Sequence, residues 1–231
     1  MKILAIETSG LLGSVALLEE SGGGLRLLEE RPTPVEQRTA RSLLPTLQQL
    51  LAAHRWRPAD VQLVAVTTGP GSFTGLRIGV VAAKTFAYAV GAELVGVHTL
   101  AALAEPIEPG PSRLWTILDA QRQEFFVASF DANQRIAQDS TPTTEILPIE
   151  KWLGQLVAGD QVAGPPLAKI ESRLPQGVIS ASPDQWHPSA AAVGRLAHAQ
   201  YQRGERTDPL ELVPNYYRKS AAEEKAATAK S

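Results

Sequence analysis

The hydrophobic positions fall into short runs whose period switches between that of a strand and that of a helix. Lys2 to Glu7 (KILAIE) and Ser14 to Leu18 (SVALL) have the length and apolar content of buried strands. Gly22-Gly23-Gly24 reads as a hairpin turn into a third strand, Leu25 to Glu30. From about Glu36 to His54 the period becomes helical, with Leu43, Leu47, Leu50, Leu51 and His54 on one face. Pro45 sits inside that helix and removes a donor, so a kink or a late start is expected. A strand from Gln62 to Thr67, a second helix from Leu76 to Val90 and a strand from Glu93 to Val97 complete the first half. The second half reads as strands at Arg113 to Asp119 and Glu124 to Asp131, with a short one at Arg135 to Gln138. A helix near Glu145 to Leu156, a strand near Gln161 to Ala163 and a helix from Ser189 to Gln202 follow. Pro106, Pro109 and Pro111 make the stretch from Leu100 to Ser112 the boundary between halves.

The densest local signal lies between the fourth strand and the second helix. Gly69-Pro70-Gly71-Ser72-Phe73-Thr74-Gly75 places three glycines and a proline within seven positions. Such a segment stops a strand and offers backbone conformations that other residues adopt only at a cost. Ser72 or Thr74 is placed to cap the helix that follows. That helix is apolar nearly all round. Gly79, Ala82, Ala83 and Ala87 make a small-residue surface, and Ile78, Val80, Val81, Phe86 and Val90 cover most of the rest. A helix of this kind is buried in its own core or against a partner. Residue types leave two readings of the loop open: an anion site at a helix N-terminus, or a tight turn that lets the helix pack closely. A nucleotide-loop reading of Gly79 to Thr85 fails, because no second glycine precedes Lys84 and the segment lies inside the helix.

Composition narrows the classes. A chain of 231 residues with 44% hydrophobic and 20% charged content is long enough to bury a sizeable core as one large domain or two lobes. A formal net charge of -2 lacks the electrostatic footprint of a protein that binds nucleic acid by itself. With no cysteine, disulfides, thiolate metal sites and thiol catalysis are excluded. The start, MKILAIETSG, has no cleavable signal pattern, and the longest apolar run is broken by Lys84 and Glu93. These features lead to the expectation of a cytoplasmic protein without a membrane span. The last residues, AAEEKAATAKS, are small and charged and are expected to form a disordered tail over 220–231.

GPGSFTGLRIG, unbroken from Gly69 to Gly79 behind an apolar strand, resembles the signature of the TsaB (YeaZ) family. Ile6 to Ser9 (IETS), Ser42 to Pro45, Val97 to Leu100, the LDAQRQEFF segment and Pro214 to Arg218 resemble further family segments across nearly the whole chain. A histidine often seen ahead of the Ser42 to Pro45 segment appears here as Thr39. The resemblance implies an α/β chain of actin/hexokinase-like (ASKHA, ribonuclease-H-like) fold in two tandem lobes, 1–104 and 105–219, the second degenerate. It implies a non-catalytic scaffold subunit in the biosynthesis of N6-threonylcarbamoyladenosine (t6A) at position 37 of tRNA, with no cofactor. The implied partners are a TsaD-like catalytic subunit and a TsaE-like ATPase, with tRNA reached only through the complex and a homodimer when alone. The implied interface is the apolar face of the two long helices, carried by Leu43, Leu47, Leu50, Leu76, Gly79, Val80, Ala83 and Ala87.

The catalytic paralogue TsaD is similar in its first half but carries two metal-binding histidines four residues apart. The corresponding positions read Thr99 and Leu103, neither able to replace an imidazole, so no metal site is expected. Nucleotide binding by this fold uses acidic, glycine-rich hairpins and a loop of consecutive glycines. Here the second hairpin reads Asp119-Ala-Gln-Arg122, and the nucleoside loop offers only Gly164-Pro165-Pro166. Glu7 and Asp119 remain readable as an acid/base or Mg²⁺ carboxylate pair, or as strand-end acids capping turns. The rival to the scaffold reading is therefore an ATP-dependent enzyme of the actin/hexokinase-like superfamily, or a peptidase of the wider family.

Overall fold

The computed structural model describes residues 1–34, 39–131 and 141–218. Its first sheet begins with an antiparallel meander, β1 (Lys2–Glu7), β2 (Ser14–Ser21) and β3 (Gly24–Pro32). Helix α1 (Thr39–Ala53) then leads to β4 (Leu63–Gly69), and α2 (Phe73–Val90) to β5 (Glu93–His98). Strands β4 and β5 add in parallel beside β1, with Ile3 opposite Leu63 and Val64 opposite Leu94, giving the order β3-β2-β1-β4-β5. Both crossovers run through a helix, as parallel neighbours require.

After α3 (Thr99–Ala104) the plan repeats. Strands β6 (Leu114–Asp119), β7 (Glu124–Phe130) and β8 (Glu145–Pro148) form a second antiparallel meander. Helix α4 (Ile149–Leu153), β9 (Gln161–Ala163), α5 (Leu167–Ile170) and β10 (Ile179–Ser180) follow. The second sheet has the order β8-β7-β6-β9-β10, the first sheet's order strand for strand. The difference lies in the crossover helices: α1 and α2 have 15 and 18 residues, α4 and α5 only 5 and 4. This is the actin/hexokinase-like α/β architecture with a degenerate second half. Asp160, beside β9, pins this half by accepting from Ser112, the Arg113 and Val157 amides and the Trp115 indole.

The alternation of side chains along β1 and β2 divides the core. Leu4, Ile6, Val15 and Leu17 face α1 and α2, whereas Ile3, Ala5, Ala16 and Leu18 face the opposite way. That other side meets α3 and α6 (Ala190–Gln202), which share one apolar cluster with both sheets. Helix α6, last among the described residues, thus packs on the first sheet. A cut at 104/105 separates the two sheets but not their packing.

Several expectations are corrected. The helix read over Glu145 to Leu156 is strand β8 followed by the short α4, with Pro148 at the junction. The stretch read as a boundary from Leu100 begins with the fully buried α3. Helix α2 starts at Phe73, because Ser72 accepts from the Gly75 amide and caps it. The short strand read at Arg135 to Gln138, the start of helix one before Thr39 and the tail over 220–231 lie outside the described residues.

The largest correction concerns the face assigned to a partner. Leu43, Leu47, Leu50, Leu76, Gly79, Val80, Ala83 and Ala87 are all buried within the chain. They point at this chain's own first sheet, and the small residues of α2 serve its close approach to β1 and β4. A Cβ on Gly79 would come within 2.1 Å of Thr8 Oγ1. Gly79→Leu is therefore expected to cost about 1–3 kcal/mol through overpacking. Ala83→Glu, at a fully buried position, is expected to cost about 3 kcal/mol or more and to unfold the chain. Thermal melts of the two variants check both values; unchanged melting would place this face outside the core.

Candidate functional site

The polar side chains of the first sheet converge where β1 and β4 end, against the glycine-rich loop. Glu7, the last residue of β1, is fully buried. Its Oε1 accepts from the Ser9 amide at 2.6 Å and the Ser9 hydroxyl at 2.5 Å, with the Thr67 hydroxyl at 3.5 Å. Its Oε2 has no partner among the described residues. Burial pushes the carboxyl up to about 7, against the pull of the bonds from Ser9 and Thr67.

The loop is laid onto this turn. Ser72 N–H donates to Ser9 O at 2.7 Å, and a Cβ on Gly75 would come within 2.1 Å of Thr8 O. The Gly69–Pro70 peptide is cis. Of the seven signature residues, Gly69, Pro70 and Gly75 are buried, Gly71 is half-buried, and Ser72, Phe73 and Thr74 are exposed at the head of α2. Of the two readings of this loop, the geometry favours the tight turn that seats α2 against β1. Ser72 caps the helix with its own hydroxyl.

The positions equivalent to metal-binding histidines do not fit a metal. Thr99 and Leu103 are fully buried in α3, and a hydroxyl and an isobutyl group offer no imidazole donor. His98 has a structural role instead. Its Nδ1 accepts from the Leu100 amide at 3.2 Å and caps α3. The hydrogen therefore sits on Nε2, which faces Tyr217 Oη at 2.8 Å and Thr144 Oγ1 at 3.0 Å. Burial lowers the imidazole to about 4, so it is neutral at physiological pH. Asp119 Oδ1 accepts from the Gln121 amide at 2.7 Å, a turn-capping role, and Glu124 pairs with Arg218. Glu7 is buried while Asp119 is exposed, so the two carboxyls occupy unlike environments.

Two groups of residues were given no site role from the sequence. Seen from outside, α2 exposes Arg77, Val81, Thr85 and Tyr88, and α1 exposes Arg41, Leu44 and Gln48. Val81 is 61%, Tyr88 75% and Leu44 59% exposed, high values for such apolar side chains. The helical spacing of positions 77, 81, 85 and 88 carries that signal. The second group, Asn215 to Arg218, runs across the ends of both sheets. Nothing in its local composition discloses where it docks.

Glu7 and His98 pull the pH dependence in opposite directions. A raised carboxyl contributes stability that is complete below about pH 4.5 and lost as pH rises through about 7. A lowered imidazole contributes stability that is complete above about pH 6.5 and lost as pH falls through about 4. Each shift corresponds to about 3 kcal/mol. The contributions of Glu7 and His98 to the parent are therefore expected to cancel between about pH 4.5 and 6.5, leaving the smaller rise with pH from His187, whose imidazole partial burial also lowers. Glu7→Gln is expected to lose stability on acidification across that window, and His98→Gln on alkalinisation. Urea titrations across this range check both slopes; parallel curves for the three proteins would refute the assignment.

The family model for TsaD, tRNA N6-adenosine threonylcarbamoyltransferase, matches residues 30–182, about two thirds of the chain. The tRNA threonylcarbamoyladenosine biosynthesis protein TsaB of Bacillus subtilis is 28% identical over 97% of this chain and 97% of its own. TsaB of Escherichia coli is 32% identical over 58% of this chain and 57% of its own. Among solved structures, YeaZ from Pseudomonas aeruginosa superposes with a TM-score of 0.73 at 26% identity, covering 93% of this chain and 99% of that one. The tandem sheets, the loop seated on Thr8 and these full-length likenesses agree: the chain belongs to the TsaD family, on its TsaB (YeaZ) side.

Proposed function

We propose that this chain serves the biosynthesis of threonylcarbamoyladenosine in tRNA as a non-catalytic subunit that binds and activates a TsaD-type catalytic subunit. The observation that carries the reading is the likeness to a TsaB protein along 97% of both chains. The site chemistry supports it. Thr99 and Leu103 replace the metal-binding pair, and Glu7 is fully buried, which pushes its carboxyl up to about 7. A TsaE-like ATPase joins the pair, tRNA is reached through the complex, and the work is done in the cytoplasm without a membrane. By length and composition α2 is apolar enough to cross a bilayer. Its inner face is committed to the first sheet, however, which supports a protein partner for the outer one.

The partner meets the outer face of α1 and α2, centred on Leu44, Val81 and Tyr88. A two-fold pairing through the same face gives the homodimer of the isolated chain. Helix faces of this kind interlock by ridges and grooves, and a charge placed among them is desolvated on association.

Val81→Glu combined with Tyr88→Glu is expected to leave folding stability within about 0.5 kcal/mol, because both positions face water in the monomer. The same pair is expected to abolish co-elution with the TsaD-type subunit and to remove t6A from tRNA hydrolysates in a complementation strain. Co-elution with full t6A levels would overturn the interface. Calorimetry with ATP and Mg²⁺ tests the rest: micromolar binding to the isolated chain would favour the enzyme reading.

A further inference from the structure

The segment after α6 crosses from one sheet to the other over the carboxyl ends of the parallel strands. It leaves the first sheet's edge where Thr207 N–H donates to Leu94 O at 2.8 Å. Lys84 of α2 holds it next, through Leu210 O at 3.3 Å and Leu212 O at 2.9 Å. At the end of β4, Asn215 N–H donates to Thr68 O at 2.7 Å and its side-chain amide reaches Thr68 Oγ1 at 3.4 Å. Tyr216 lies over Phe73 with ring centroids 4.9 Å apart. Tyr217 touches both sheets, its hydroxyl on His98 of β5 and its ring 6.2 Å from Phe126 of β7. Arg218 completes the crossing, donating to Ala120 O at 2.6 Å and pairing with Glu124 on the β6–β7 hairpin.

In open α/β sheets the crevice outside the carboxyl ends of the strands is where ligands bind. Here the main chain of Asn215 fills that position at β4: a Cβ on Gly69 would lie 2.7 Å from Asn215 O. Gly69, at φ 124, supplies both the backbone conformation and the space.

We propose that Asn215 to Arg218 form a releasable latch that covers the crevice between the two sheets and ties the β6–β7 hairpin to the end of β4. The polar contacts exchange for water at small net cost when the segment lifts. The chemistry at His98 favours reversibility. Its Nε2–H has two acceptors in reach, Tyr217 Oη and Thr144 Oγ1, so departure of Tyr217 leaves no buried donor without a partner. Release exposes Thr68, Gly69 and the β6–β7 hairpin and lifts Tyr217 off the margin of the apolar cluster around α3 and α6, whose buried members are held by the sheets and by those two helices. The latch thus belongs to the part of the molecule that opens below the global unfolding free energy.

Amide hydrogen exchange on the full chain tests this, read at Asn215 (bonded to Thr68 O), Ala120 (to Glu124 O) and Glu124 (to Gln121 O). In Tyr217→Phe combined with Arg218→Gln, exchange at these three amides is expected to rise at least tenfold, with β1 and α6 within twofold of the parent. Asn215→Ala loosens only the first-sheet end, and it too is expected to raise exchange at Ala120 and Glu124. An equal rise throughout would mean general destabilisation and would overturn the latch. So would an unchanged hairpin in Asn215→Ala, which would reduce the crossing to independent local contacts.

Discussion

The fold depends on how closely α2 approaches the turn after β1. Thr8 sits under the first two turns of that helix, in space that only glycine leaves free at positions 75 and 79. A side chain at either position would lift the helix from the sheet. With the helix down, Val80, Ala83 and Ala87 reach β1 and β4 and close the core on that side. The same approach brings Ser72 N–H to Ser9 O, in the turn where Glu7 lies buried. Close packing of the helix and seating of the loop therefore share one steric cause.

The two faces of α2 do different work. The inner face is spent on intramolecular packing, which is why the small residues resemble an interface without being one. The outer face carries Val81 and Tyr88 in water, beside Leu44 of α1. The tandem plan explains why, among the described residues, the second half's crossover helices offer no such surface. Both sheets have the same strand order, but helices of 5 and 4 residues in the second half are too short to present a long face. In place of long helices, that half is held by aromatic packing such as Phe125 on Trp152 and by the donors converging on Asp160.

The crevice between the sheets brings together residues far apart in the chain. His98 binds the start of α3 with one nitrogen and offers the other to residues 46 and 119 positions away. Arg218 meets the β6–β7 hairpin, where Gln121, Arg122 and Gln123 all adopt positive φ. Such a run is strained for side chains with a Cβ, and the hairpin holds it with the Ala120–Glu124 and Glu124–Gln121 backbone bonds.

Local chemistry made much of this legible. Strands β1, β2, β4, β5, β6 and β7 follow from apolar runs, and the loop at Gly69 to Gly75 from glycine density. Helix α2 follows from an apolar stretch capped by Ser72 and closed by Gly91 at φ 70. The family signature lay in the same contiguous segment. Strand β10, the split of residues 145–153 into strand and helix, and the buried α3 were not legible, because each is too short for a period to register. Above all, the sequence showed that α2 had to be covered on most sides but not by what. Periodicity reports that a face is apolar, whereas its neighbour depends on contacts between residues dozens of positions apart. Only the folded chain, by seating Gly79 on Thr8, decided that the small-residue face turns inward and leaves Val81 and Tyr88 outside.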